Sequence, residues 1–133
     1  MSAAVPTVGI VLVSHSAELA VGAADLAAQV SGGTVTIIAA GGTDDGTLGT
    51  SAAKVMRGLT DADTGAGVVV LPDLGSAVLT VRAVLEDRPG DRVILADAPF
   101  VEGAVAATVT AAAGADIKAV AAAAEEARHA RKL

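Results

Sequence analysis

His15 is the residue of this 133-residue chain that is best placed for chemistry. The chain has two histidines, His15 and His129, and no cysteine. An imidazole can act as a base, a metal ligand or a nucleophile. His15 follows the apolar run Val8–Val13, and a helical pattern begins two residues later at Ala17. The N–H groups of that helix start, from Ser16 onward, would favour an anion on the ring. A histidine that only closes a strand-to-helix turn would occupy the same position.

Asp73 is the second candidate because it follows another apolar run, Val68–Leu71. A carboxylate that accepts one imidazole N–H fixes the tautomer of the ring and stabilises positive charge on it. An aspartate in a turn after Pro72 is also common, so both interpretations stay open. Gly75 and Ser76 follow closely. They could supply a second set of anion donors, or they could form only a glycine turn with a serine N-cap.

A glycine-rich loop, Gly41–Gly49, follows the second predicted strand. Gly42 and Thr43 in this loop could let a phosphate or a partner protein approach the backbone. Two aspartates, Asp44 and Asp45, would instead repel a bound nucleotide. The chain has no GxxxxGK[ST] pattern, and no strand is followed by GxGxxG. The sequence therefore gives little support to a nucleotide or dinucleotide site.

The elements that position these residues are four predicted strands and five predicted helices. Continuous β-branched runs are typical of strands buried on both faces, and apolar residues three or four apart indicate helices. The predicted strands are Val8–Val13, Thr34–Ala40, Val68–Leu71 and Arg92–Ala96. The predicted helices run from Ala17 to the glycines at 32 and 33, from Ser51 to about Leu59, from Ser76 to about Glu86, from Val101 to Gly114, and from Ile117 to about Arg131. Thr50 is the predicted N-cap of the second helix, and Asp116 is that of the fifth.

This alternation predicts the α/β class, as a doubly wound, mostly parallel four-stranded sheet with helices on both faces. The most economical strand order is 2-1-3-4. That order has a switch point between the first and third strands, where ligands bind beyond the carboxyl ends. His15 and Asp73 follow those two ends, so we expect them to be neighbours.

The composition excludes several classes of protein. A chain that is 53% hydrophobic and 18% charged is not intrinsically disordered. Its net charge of −6 and single aromatic residue, Phe100, argue against nucleic-acid binding. Without cysteine and with two histidines, we expect neither disulfides nor a multi-histidine metal centre. No apolar run reaches the ~18 residues of a membrane span, and Met1–Thr7 lacks a basic leader region. We expect a single cytoplasmic domain over residues 1–133.

Four segments, in the right order, resemble one known family. They are GIVLVSHS (Gly9–Ser16), GTSAAKVM (Gly49–Met56), DLGSA (Asp73–Ala77) and APFVEGAVAATVTAAAGADI (Ala98–Ile117). From about residue 8 to residue 120 the chain resembles the DhaM family, the phosphotransferase-system subunits of bacterial dihydroxyacetone kinases, which have the mannose-type enzyme IIA fold. Sugar-transport members of that fold typically carry a longer glycine-serine-proline segment after the aspartate. The form DLGSA therefore favours the dihydroxyacetone branch.

The resemblance implies a phosphohistidine carrier. His15 would accept a phosphoryl group from the HPr phosphocarrier protein and pass it to ADP on the nucleotide-binding subunit of dihydroxyacetone kinase, while Asp73 holds the ring. No cofactor and no metal are implied for this subunit. The family is usually homodimeric, and some members carry fused HPr-like and enzyme I-like segments. Because this chain ends at Leu133, we expect it to use a separate HPr.

Two other functions stay open at this point. A mannose-class enzyme IIA for sugar uptake would share the fold and chemistry but deliver its phosphoryl group to a transporter domain. A non-catalytic regulatory domain could use His15 and Asp73 to bind a small anion or a partner protein. For a carrier, we expect phosphorylation on the His15 nitrogen that does not face Asp73.

Overall fold

A parallel four-stranded sheet forms the centre of the computed structural model, which describes residues 5–133. Residues 1–4 lie outside the described range. They belong to Met1–Thr7, the segment in which we expect no basic leader region. The strands are β1 (Gly9–Ser14), β2 (Ile37–Gly41), β3 (Val68–Pro72) and β4 (Val93–Leu95). Their order is β2-β1-β3-β4, and all neighbours are parallel. The predicted class and strand order are confirmed.

Within residues 5–133, five α-helices connect and follow these strands, as the apolar spacing predicts. They are α1 (Ala17–Ser31), α2 (Ala52–Ala62), α3 (Gly75–Glu86), α4 (Phe100–Ala112) and α5 (Ile117–Glu126). The last helix is shorter than expected, because the chain tightens into a 3₁₀ turn at Ala127–His129. None of the helices in residues 5–133 is both long enough and apolar enough to cross a membrane.

Three helix starts each differ from the predictions by one residue, and α4 begins at Phe100 rather than at Val101. The N-cap of α2 is Ser51 rather than Thr50, and its hydroxyl accepts a hydrogen bond from the N–H of Lys54 at 3.1 Å. Helix α3 begins at Gly75, after Leu74, whose side chain makes no capping bond. Ser76 therefore lies inside the first turn, and its hydroxyl is not used as a cap. Asp116 caps α5 as predicted.

The helices cover the sheet as two layers because β1 and β3 are apolar on both faces. Ile10 and Leu12 of β1 belong to a buried cluster with residues of α1, α4 and α5. Val11 and Val13 point to the opposite face and join a second cluster with residues of α2 and α3. Side chains that alternate along a strand in this way reach both layers. The packing fixes β1 and β3 rigidly, and it is their carboxyl ends that carry His15 and Asp73.

Candidate functional site

His15 and Asp73 lie side by side where β1 and β3 end. The sheet register pairs Val13 with Pro72, so the residues that follow emerge from adjacent strands. The Nδ1 atom of His15 is 2.9 Å from Oδ1 of Asp73, and the backbone N–H of His15 donates to Oδ2 at 3.0 Å. One carboxylate thus holds both the ring and the backbone of the histidine.

This contact determines which nitrogen of His15 is available for chemistry. An ionised carboxylate can only accept hydrogen bonds, so in the uncharged ring Nδ1 carries the proton and Nε2 keeps its lone pair. The imidazole is 24% exposed, whereas the Asp73 side chain is 9% exposed. The hydroxyl of Ser76, in the first turn of α3, contacts Nε2. Because Nε2 has no proton in that tautomer, the hydroxyl donates and Nε2 accepts. The structure therefore presents Nε2, the ring nitrogen that does not face Asp73, beside a small hydroxyl group at the protein surface.

Four donors converge on the Asp73 carboxylate. Partial burial acts to raise the pKa of Asp73, because it penalises the charged form. The backbone N–H and ring of His15, the hydroxyl of Ser14 and the N–H of Leu74 outweigh that effect, so the pKa of Asp73 lies below its ordinary value. The carboxylate is consequently ionised at neutral pH and can stabilise positive charge on the neighbouring ring.

Ser16 links the end of β1 to the start of α1. It is the N-cap of α1, and its hydroxyl accepts a hydrogen bond from the N–H of Leu19 at 3.2 Å. Its own N–H donates to the hydroxyl of Ser14 at 3.0 Å. Ser16 therefore fixes the position of the helix N-terminus beside His15, and its side chain and N–H are both engaged in doing so.

The loop 41–49 is anchored to the backbone on both sides of His15. The N–H of Gly42 donates to the carbonyl of Ser14 at 3.1 Å, and the N–H of Gly49 donates to the carbonyl of His15 at 2.9 Å. Gly41 must be glycine here, because a Cβ atom at this position would lie 2.5 Å from the carbonyl oxygen of Ser16. The loop thus packs directly against the junction between β1 and α1.

Internal hydrogen bonds engage the loop groups for which the sequence suggested a ligand. The N–H of Thr43 donates to the carbonyl of Thr47 at 2.9 Å, and the two threonine hydroxyls are 2.7 Å apart. The hydroxyls of Thr43 and Thr47, with the N–H of Thr47, lower the pKa of Asp45 to about 2. With the N–H of Gly42 also bonded to β1, the structure brings the loop to His15 but leaves neither Gly42 nor Thr43 with a free backbone donor.

Sequence reasoning did not single out Ser14, although it contacts Asp73 directly. Its hydroxyl donates to Oδ2 of Asp73 at 2.8 Å, and the residue is fully buried. The sequence signal is slight: one hydroxyl residue closes an otherwise apolar strand that is buried throughout. Only the register of β1 with β3 shows that this side chain reaches the carboxylate.

Three strongly exposed leucines lie close in the chain to residues of the site. Leu48 is 80%, Leu74 is 62% and Leu79 is 68% exposed. Leu48 precedes Gly49, whose N–H donates to the carbonyl of His15. The N–H of Leu74 donates to Oδ1 of Asp73 at 2.7 Å. Leu79 follows Ser76 by about one helical turn on α3. A contiguous exposed apolar patch is typical of a surface that binds another protein, and these three side chains are the candidates for such a patch beside His15.

Comparison with known proteins shows similarity over most of the chain. A family model, EIIA-man, described as the PTS system fructose IIA component, matches residues 9–121. The chain is 41% identical over 116 residues to a protein of Providencia stuartii named PEP-dependent dihydroxyacetone kinase, phosphoryl donor subunit DhaM, covering 83% of this chain and 24% of that protein. A Listeria innocua protein, PEP-dependent dihydroxyacetone kinase 2, phosphoryl donor subunit DhaM, is 36% identical over 105 residues, covering 77% and 84%.

A solved structure has the same fold. The crystal structure titled as the unknown function protein EF1359 matches with a TM-score of 0.81 and 34% identity, covering 90% of this chain and 94% of that one. The chain spans about a quarter of the length of the Providencia stuartii relative but most of the Listeria innocua relative and of the solved structure.

Proposed function

Because this chain belongs to the EIIA-man family, we propose that it is a phosphocarrier in which His15 accepts a phosphoryl group on Nε2 and then donates it. The observation that carries the proposal is the pairing of Nδ1 with Asp73 at 2.9 Å, which leaves the ring's remaining lone pair on the exposed Nε2. The names of the relatives, phosphoryl donor subunits of PEP-dependent dihydroxyacetone kinases, support the same role.

The transfer needs no proton movement at the attacking atom. The Nε2 lone pair attacks the phosphorus of a donor phosphohistidine, the donor's P–N bond breaks, and its electron pair returns to the donor imidazole. The ring of His15 becomes positively charged, and Asp73, hydrogen-bonded to Nδ1, stabilises that charge. Phosphoryl transfer of this kind depends mainly on in-line placement and charge stabilisation, which a rigid, exposed histidine supplies.

Ser76 has a different place in the cycle. Its hydroxyl occupies the position beside Nε2 that the incoming phosphorus must reach. When the P–N bond forms, the Nε2 lone pair is used, and the hydroxyl can rotate and donate to a phosphoryl oxygen. Ser76 therefore keeps Nε2 hydrogen-bonded in the free protein and becomes a phosphate ligand in the phosphorylated one.

The donor in this proposal is the phosphohistidine of HPr, and the acceptor is ADP on the nucleotide-binding subunit of dihydroxyacetone kinase. An open site suits two large partners that dock in turn. The exposed side chains of Leu48, Leu74 and Leu79 give both partners an apolar surface around the histidine. We propose that the protein works in the cytoplasm as a homodimer that leaves this surface free.

A second function is favoured by the description of the family model, a fructose IIA component. In that case the chemistry at His15 is the same and the acceptor is a sugar-transporter domain. The acceptor therefore has to be tested separately from the carrier chemistry.

The test uses enzyme I, HPr and labelled phosphoenolpyruvate. We expect the wild-type protein to take up one acid-labile, base-stable phosphate, and His15→Ala to take up none. His129→Ala is the matched control, because His129 lies on the exposed C-terminal turn. Uptake by His15→Ala equal to the wild type would contradict the carrier role. Adding the kinase subunits with ADP and dihydroxyacetone should discharge the label; label that stays on the protein would favour the sugar-transport acceptor.

A further inference from the structure

We propose that Ser14 is a positioning residue, which fixes the Asp73 carboxylate and through it the ring of His15. The inference rests on the phosphocarrier function proposed above, because it assigns Ser14 a part in the same transfer. It concerns a side chain that is fully buried and does not reach the protein surface.

The first argument is the burial and hydrogen bonding of Ser14. The residue is 0% exposed at the end of β1. Its hydroxyl donates its single proton to Oδ2 of Asp73 at 2.8 Å and accepts the N–H of Ser16 at 3.0 Å. A buried hydroxyl bonded on both sides has one orientation, since any rotation would leave a buried polar group without its partner.

The second argument is how the two carboxylate oxygens are divided between donors. Oδ2 is held from β1, by the hydroxyl of Ser14 and the N–H of His15. Oδ1 accepts from the N–H of Leu74 and faces the ring of His15. With Oδ2 fixed by two donors at the carboxyl end of the neighbouring strand, the carboxylate plane cannot turn, and Oδ1 stays aimed at Nδ1.

The third argument is the connection to the N-terminus of α1. Ser16, which donates to Ser14, is the N-cap of that helix. A single hydroxyl therefore joins the carboxylate on β3 to the helix start that follows His15. Removing it would loosen the carboxylate and, in the same step, leave the N–H of Ser16 without its acceptor.

Ser14→Ala tests this role in the unphosphorylated protein, where the result does not depend on phosphate uptake. Carbon-13 titration should show the pKa of Asp73 rising toward its ordinary value, because one charge-assisted hydrogen bond is lost. Nitrogen-15 spectra should show the Nδ1–H tautomer of His15 losing population to the Nε2–H tautomer. Wild-type titration of Asp73 together with the wild-type tautomer in Ser14→Ala would overturn the proposal.

Ser14→Cys keeps a hydrogen-bonding group at this position in a slightly larger side chain, and it guards against a folding defect in the alanine variant. Because a thiol is a weak donor, its Asp73 titration and tautomer should lie between those of the wild type and Ser14→Ala. A cysteine variant that behaves like the wild type would contradict the role of the hydroxyl. Thr108→Val is the matched control, since it removes another fully buried hydroxyl, bonded to the carbonyl of Ala104 within α4.

The transfer rate from phosphorylated HPr gives the functional measure. We expect Ser14→Ala to accept phosphate about tenfold more slowly than the wild type, the factor for the loss of one such hydrogen bond, with Thr108→Val unchanged. If the wild type took up no phosphate, the carrier function would fail, and the two spectroscopic measurements would still decide whether Ser14 positions Asp73. If the wild type and Ser14→Ala took up phosphate equally fast, the proposed role of Ser14 would fail alone.

Discussion

The hydroxyl of Ser76 contacts the one ring nitrogen of His15 that Asp73 leaves free. The two groups hold the imidazole from opposite sides: a carboxylate accepts from Nδ1, and a hydroxyl donates to Nε2. The second contact has to break before phosphorus can bond to Nε2, whereas the first becomes stronger as the ring gains positive charge. This asymmetry gives the two residues different expected effects when they are replaced.

Ser76→Ala should slow phosphoryl uptake about threefold to tenfold without abolishing it. The variant loses one hydrogen bond to the phosphoryl group, but the site is exposed, so water replaces the hydroxyl in part. Rapid-quench measurement of label transfer from HPr checks this. Thr80→Val, one turn later on α3, removes a hydroxyl that bonds only to the backbone of Ser76 and should transfer at the wild-type rate. Abolished transfer in Ser76→Ala would mean that Ser76 does more than bind phosphate.

Asp73→Asn should slow the transfer more strongly, by roughly 100-fold, because it removes the charge that stabilises the phosphorylated ring. The four groups around this carboxylate are all donors, two at each oxygen. In either orientation, the NH₂ group of an asparagine would therefore face two donors and lose both hydrogen bonds. The same rapid-quench measurement checks the rate. Asp61→Asn replaces an exposed aspartate of α2 and serves as the control. An Asp73→Asn variant with wild-type kinetics would remove this residue from the mechanism.

The low pKa of Asp73 predicts how stability depends on pH. The carboxylate is ionised more readily in the folded protein than in the unfolded chain, whose value is near 3.8. Its contribution to the free energy of unfolding is therefore fully present above about pH 4 and is lost as the pH falls through the folded-state value. Urea unfolding of the wild type and Asp73→Asn between pH 6 and pH 3 checks this. The two stability curves should converge toward low pH, and parallel curves would contradict the prediction.

Leu74→Ser and Leu79→Ser should weaken docking of the phosphoryl donor. Each removes an exposed apolar side chain beside the site and leaves the hydrogen bonds of His15 intact. We expect the KM for phosphorylated HPr to rise about fivefold or more for each variant, with little change in kcat. Val30→Ser is the control: Val30 is 53% exposed, but it lies near the far end of α1, roughly 20 Å along the helix from His15. Equal KM values in all three variants would show that the leucines do not contact the donor.

The sequence was sufficient to predict the fold and the neighbourhood of His15 and Asp73. The apolar runs identify the strands, and the right-handed crossover rule leaves few strand orders, so the two residues after β1 and β3 are brought together by topology alone. Side-chain orientation within the site was not predictable in this way. The sequence around Ser76 fits the pattern of a helix N-cap. In the structure α3 begins one residue earlier, at Gly75, and the Ser76 hydroxyl contacts the imidazole of His15.

The hydrogen-bond partners of the site residues could not be predicted from the sequence pattern either. Gly42 and Thr43 belong to a glycine-rich loop that a phosphate or a partner protein could approach, but their N–H groups bond to Ser14 and Thr47. The sequence does not mark Ser14 as a functional residue, because a single serine at the end of a strand is common. Its contact with Asp73 depends on the register of two strands and on complete burial, neither of which composition or spacing reveals.

The position of the phosphate on the protein tests the central claim most directly. The protein is labelled uniformly with nitrogen-15, phosphorylated with enzyme I, HPr and phosphoenolpyruvate, and studied by two-dimensional NMR of its imidazole nitrogens under alkaline conditions that preserve phosphohistidine. We predict that the phosphorus is bonded to Nε2 of His15 while Nδ1 retains its proton. A phosphate on Nδ1, on His129 or on no histidine would contradict the account.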